Sequence, residues 1–220
     1  MPHGFRSPAP RAPARRRVFA ALGAALLAGG CAVLAPTPAD YRPPAPGTTW
    51  VNGRMDTGSY GSGAAQTTWR RSERLWEGER LVSFETPQGA TLANALGQWV
   101  VQLAPNGRPV SRFDPPIGYE WPLAVGKTWR RTHRATNLVT NQSVEFEVTW
   151  TVEASETIKV PAGTFRTLRI RYSDTLGSDD TYWFSPRHGI AVRQNLRRSA
   201  QHPAGAGTRD VEVVSLRISK

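Results

Sequence analysis

The chain has 220 residues, 39% of them hydrophobic and eight of them tryptophan, which is too apolar a composition for a disordered protein. Its 20 glycines and 18 prolines suit a chain rich in turns better than a helical bundle. The net charge of +11 falls by about half once Arg6, Arg11, Arg15, Arg16 and Arg17 of the leader are set aside, so no nucleic-acid partner is expected.

Residues 1–30 have the three parts of an export signal. A basic stretch ends in Arg15-Arg16-Arg17, an apolar run follows (VFAALGAALLA, 18–28), and small residues lead to Cys31. The apolar run is too short to remain as a membrane-spanning helix. Leu27-Ala28-Gly29-Gly30-Cys31 resembles the lipobox of bacterial lipoproteins, with the leucine one position early. That resemblance implies removal of residues 1–30 and transfer of diacylglycerol to the Cys31 thiol. Arg16-Arg17-Val18-Phe19 also resembles a twin-arginine signal, so general secretion and twin-arginine export both stay open. Ala32, where aspartate would favour retention at the inner membrane, resembles the outer-membrane sorting pattern. With a single cysteine, the exported domain can form no internal disulfide.

Residues 31–47 carry Pro36, Pro38, Pro43, Pro44 and Pro46. Proline at this density favours extended polyproline II geometry, and the segment is expected to be a lipid-anchored stalk of up to about 50 Å. A β domain over 48–220 follows. Its strands are predicted at 67–76, 79–86, 98–103, 128–135, 143–153, 165–172, 181–184, 190–197 and 211–218. Between them lie turn signals such as Glu77-Gly78, Asn106-Gly107 and Pro161-Ala162-Gly163. In SVEFEVTWTVE (143–153), Val144, Phe146, Val148, Trp150 and Val152 alternate with polar residues, as in a strand with one buried face. In the next run Leu168, Ile170 and Tyr172 point inward, and Arg169 and Arg171 point outward to meet the glutamates of 143–153. No sustained helical period appears. The fold class is therefore all-β: a single antiparallel meander, curled as a half-barrel or packed as a sandwich.

Three motifs punctuate residues 121–198: Pro122-Leu123-x-x-Gly126-x-x-Trp129, Val160-Pro161-Ala162-Gly163-x-Phe165, and Tyr182-Trp183-Phe184-x-Pro186-x-x-Gly189. Together they resemble a family of secreted bacterial β-domains with no settled activity. The resemblance implies a fold and an exported location. The same motifs have a plain physical account as turns and core positions.

No catalytic, cofactor or metal constellation emerges. His133, His188 and His202 lack ligand spacing, and His188 sits where a turn is expected. Gly58-Ser59-Tyr60-Gly61-Ser62-Gly63 has the composition but not the spacing of a nucleophile elbow. Asp174, Asp179 and Asp180 are explained by a loop that favours aspartate. Expected instead is a non-enzymatic lipoprotein of the cell envelope, held to the outer membrane through Cys31 and facing the periplasm. An open apolar trough lined by Trp129, Trp150 and Trp183 would take a lipid-like ligand or an envelope partner. The alternative is a hydrolase of envelope polymers with carboxylates that sequence does not locate.

Overall fold

A computed structural model describes residues 37–219, so the leader and Cys31 lie outside the described residues. Twelve strands follow in chain order: β1 (Thr49–Gly58), β2 (Gly63–Trp76), β3 (Glu79–Thr86), β4 (Gly89–Ala93), β5 (Trp99–Leu103), β6 (Pro109–Ile117), β7 (Thr128–Asn137), β8 (Gln142–Val160), β9 (Gly163–Asp174), β10 (Asp179–Ser185), β11 (Ile190–Arg198) and β12 (Gly207–Arg217). Each pairs antiparallel with the next, and β1 pairs with β12 from Thr49↔Arg217 to Gly58↔Gly207. The meander is all-β as expected, but the expected half-barrel is a closed barrel. Closure leaves neither β1 nor β12 as a free edge.

The alternation in β8 survives in the fold. Phe146, Val148, Trp150 and Val152 are buried, although Val144, expected to face inward, is exposed. Across the barrel wall, Trp150 pairs with Trp129 of β7 and Tyr172 of β9. The expected charge ladder forms in part: Arg169 lies 3.0 Å from Glu153, but Arg171 pairs with Asp179 at 2.8 Å, and Glu147 meets Arg130 of β7 at 3.4 Å instead.

Two stretches bury their outer face as well. Thr91 and Gln102 point into the barrel, yet Leu92, Val101 and Leu103, which alternate with them, are almost wholly buried. Leu81 and Trp76 pack on those residues to make a second small core outside the barrel. Arg112 reaches Glu77 in the β2–β3 turn at 3.3 Å, tying that turn towards β6. The second stretch follows a bulge between Val152 and Ala154, which reverses the phase of β8. Val160 and Phe165 then join Ile190, Val192 and Val213 in a cluster. The Ala162 N–H donates to Val213 O of β12, so the β8–β9 hairpin tip crosses to the far side of the β10–β11 turn.

The expected stalk also needs correction. Ala39 and Leu123 exchange two backbone hydrogen bonds of 2.8 Å, the Tyr41 ring lies 5.2 Å from Trp121, and Pro44 is buried. Gly47 N–H donates to Arg71 O, which carries the segment directly into β1. Proline density licensed an extended chain, but Ala39, Tyr41 and Pro44 find apolar partners and dock. Residues 39–47 form a strap across the barrel end that leads into the start of β1.

The three sequence motifs meet at this strapped end. Leu123 bonds to the strap, the Phe165 ring lies 5.2 Å from His188 in the β10–β11 turn, and Gly189 passes beneath Arg42. His188 holds its turn through a 2.8 Å contact between Nδ1 and Ser185 Oγ, with the His188 N–H donating to Ser185 O.

Candidate functional site

The barrel contains a cavity of about 550 Å³ that is partly open to solvent. Its wall is aromatic: Trp50, Trp69 and Phe84 on one side, Tyr119, Trp121 and Trp150 on the other. Trp50 stacks on Trp69 with ring centres 6.0 Å apart, and Tyr119 meets Trp150 edge-on at 5.0 Å. Near the strap, Tyr41 enters the wall, and burial raises its hydroxyl pKa to about 12 against the opposing pull of Arg71. Burial likewise pushes the Tyr119, Tyr172 and Tyr182 hydroxyls well above their ordinary range. At neutral pH the wall therefore presents neutral hydroxyl groups rather than phenolates.

Polar groups gather at the loop end, opposite the strap. Asp180 of β10 accepts from the Arg197 N–H at 2.9 Å and from the Tyr182 hydroxyl at 3.1 Å. Burial raises its pKa to about 6 despite those two bonds, with Asp174 and Asp179 adding to the rise. Arg209 of β12 grips Asp56 of β1 through two bonds of 2.7 and 2.9 Å, and this holds the Asp56 carboxyl below its usual range. Arg198 lies over the Tyr60 ring, its guanidinium carbon 3.9 Å from the ring centre.

Two buried polar atoms on wall residues have no partner among the described residues: Asn52 Oδ1 on β1 and Trp150 Nε1 on β8. β1 and β8 stand on roughly opposite sides of the ring. An unpaired buried polar atom costs about 1–3 kcal/mol, and both atoms are covered by the protein around them.

No family model matches the chain, and no curated protein matches it by sequence. Among the solved structures similar to it are three exported proteins or lipoproteins, so described. A Bacteroides fragilis protein described as exported and YmcC-like in fold has 12% identity and a TM-score of 0.46, over 81% of this chain and 99% of that one. A Parabacteroides distasonis protein described as a lipoprotein has 12% identity and a TM-score of 0.45, again over 81% and 99%. The hypothetical lipoprotein YmcC of Escherichia coli has 9% identity and a TM-score of 0.46, over 77% of this chain and 84% of that one.

Of the three tryptophans expected to face a ligand, Trp150 lines the cavity. Trp129 is buried with Leu123 and stacks on Trp150 at 6.0 Å, outside the cavity lining. Trp183 alternates with the inward Tyr182 and Phe184 and so faces outward. There its indole N–H donates to Glu156 at 2.6 Å and Arg193 covers the ring. The expected trough becomes a barrel interior because the β1–β12 pairing closes it. The remaining wall residues come largely from stretches with weak strand signals. Trp50 and Asn52 sit in a β1 interrupted by Gly53, and Tyr119 and Trp121 lie in the β6–β7 loop.

The loop aspartates are engaged within the fold. Asp174 accepts from the Tyr172 hydroxyl and from the Leu176 and Ser178 N–H groups, and Asp179 pairs with Arg171 at 2.8 Å. Among the described residues no group of three or more His, Cys, Asp or Glu side chains is arranged to hold a metal ion.

Proposed function

We propose that this chain is an exported lipoprotein of the cell envelope whose barrel holds a small, largely apolar ligand with some polar groups. The observation that carries the reading is the aromatic cavity of about 550 Å³, a volume ordinary for small-molecule sites. Burying the apolar part of a ligand against Trp50, Trp69 and Trp150 is worth roughly 25 cal/mol per Å² of surface withdrawn from water. Thr91, Gln102 and Gln194 also line the cavity, which favours a molecule with hydrogen-bonding groups over a bare hydrocarbon.

The leader and Cys31 support export and anchoring, with the outer membrane as the destination that Ala32 favours. Residues 32–36 separate Cys31 from the described chain, so at most about 20 Å of extended backbone joins the anchor to Thr37. A single acyl chain binds a membrane only marginally, whereas a diacylated cysteine gives a stable hold. A hydrolase would need a second carboxylate working with Asp180 across a substrate. Asp56 and Asp174 have oxygens taken by Arg209 and Tyr172, which favours the binding reading.

Thermal unfolding of the chain carrying Cys31→Ser tests the proposal, with dodecanoate as the probe. Ligand at a hundredfold excess over Kd should stabilise the native state by about 2.7 kcal/mol. For a domain of this size that raises Tm by roughly 5–10 °C. Tryptophan fluorescence should shift with it. If both Tm and fluorescence are unchanged, the cavity is not a lipid-type site.

A further inference from the structure

We propose that the ligand carries an anionic head group, held by Arg198 at the loop end of the cavity while its apolar body lies among Trp50, Trp69 and Trp150. The inference rests on the cavity being a binding site and names the class of molecule that it takes.

Two arginines, Arg198 and Arg209, line the cavity, and charge pairing separates them. Arg193 pairs with Glu212 at 3.6 Å, Arg197 with Asp210 at 3.0 Å, and Arg209 with Asp56 at 2.7 Å. Arg198 enters no ion pair among the described residues, and its recorded side-chain hydrogen bond is a 3.4 Å contact from Nη1 to Ser59 Oγ. Yet it is half-buried and belongs to the cavity wall. The guanidinium sits against the Tyr60 ring, which restrains it and leaves N–H donors without a carboxylate. A planar, five-donor cation without a carboxylate is suited to bidentate contact with a carboxylate or a phosphate.

Position supports the same assignment. Arg198 ends β11, Ser178 precedes β10, and Tyr60 lies between β1 and β2, so all three stand at the loop end. The opposite, strapped end is lined by Tyr41, Tyr119 and Trp121 and offers no cation to the lining. The cavity is thus polarised lengthwise, charged at one end and aromatic at the other, which matches an amphiphile aligned along it. Asp180 shares the charged end, but Arg197 N–H and the Tyr182 hydroxyl occupy its oxygens, and Arg198 is left to the ligand.

The test compares three probes with the same chain on the full-length Cys31→Ser protein: dodecanoate, dodecyl phosphate and dodecanol. Displacement of an apolar dye, with tryptophan fluorescence, gives the affinities. At least one anion should bind about tenfold or more tightly than dodecanol, and the tighter of the two identifies carboxylate or phosphate as the natural head group. Arg198→Met keeps an apolar stem and removes the charge. It should weaken the preferred anion about 10- to 100-fold, the range for a charge-assisted hydrogen bond, and leave dodecanol within about twofold. Arg197→Met, next in the chain but exposed and paired with Asp210, should change none of the three. Equal binding of anions and alcohol, unaltered by Arg198→Met, would overturn the head-group assignment and leave the apolar site standing. Failure of all three probes to bind would overturn both.

Discussion

Trp150→Glu should unfold the barrel, whereas Thr149→Glu, one residue earlier, should leave it folded. Trp150 is 6% exposed and touches Trp129, Tyr119, Tyr172 and Tyr182. Truncating a buried tryptophan costs about 3–5 kcal/mol, and an unpaired carboxylate in its place adds a desolvation cost. The expected loss exceeds about 4 kcal/mol, a large part of the stability of an ordinary domain. Thr149 lies on the other face, opposite Arg130 of β7, where a glutamate meets a positive neighbour. Its substitution should stay within about 0.5 kcal/mol. Urea unfolding followed by tryptophan fluorescence compares the two, and equal midpoints would mean that the assigned phase of β8 is wrong.

Gly189→Ala should release the strap. Gly189 has φ +67, and a Cβ there would overlap Arg42 O and stand 2.9 Å from Pro44 Cδ. Gly126 has φ +89, but a Cβ built there meets nothing within 4 Å. Both alanines incur the left-handed backbone cost of about 1–2 kcal/mol, and only Gly189→Ala must also displace the strap. A total loss of roughly 2–4 kcal/mol is expected for Gly189→Ala. Limited proteolysis should cut residues 39–47 quickly in that variant and slowly in Gly126→Ala. Similar cleavage in both would show that the strap does not depend on the close approach at Gly189.

The same contrast between backbone pattern and tertiary contact explains what was legible in the sequence. Strict alternation in 143–153 identified β8 because each inward residue meets a neighbouring strand, and all nine predicted strands find a place in the barrel. β1, β4 and β6 escaped. β1 is broken by Gly53, β4 has five residues, and β6 carries Pro109, Pro115 and Pro116, which withhold N–H groups and leave irregular pairing with β5. Without β1 nothing in the sequence indicated closure, since the decisive ladder runs from Thr49↔Arg217 to Gly58↔Gly207, between the two ends of the domain.

The candidate site was legible only in part for a related reason. Trp150 showed itself through the period of its own strand. Trp183 has the same residue type and a similar setting in sequence, but a position of opposite phase turns it to the outer face. Tyr41 was hidden in a proline-rich segment whose composition describes an isolated chain, not one meeting Trp121 and Leu123. Arg198 looked like one arginine among many. Its distinction lies in reaching the cavity wall without a carboxylate partner among the described residues, whereas Arg209, the other arginine of the lining, is held by Asp56; both are properties of the folded barrel and not of the local sequence.

Native mass spectrometry of the wild-type protein, gently extracted from membranes, tests the central claim most directly. The account predicts a chain beginning at Cys31 with the added mass of a lipidated cysteine, carrying a non-covalent amphiphile that dissociates on activation. An unlipidated chain that retains residues 1–30, with its barrel free of any bound amphiphile, would contradict it.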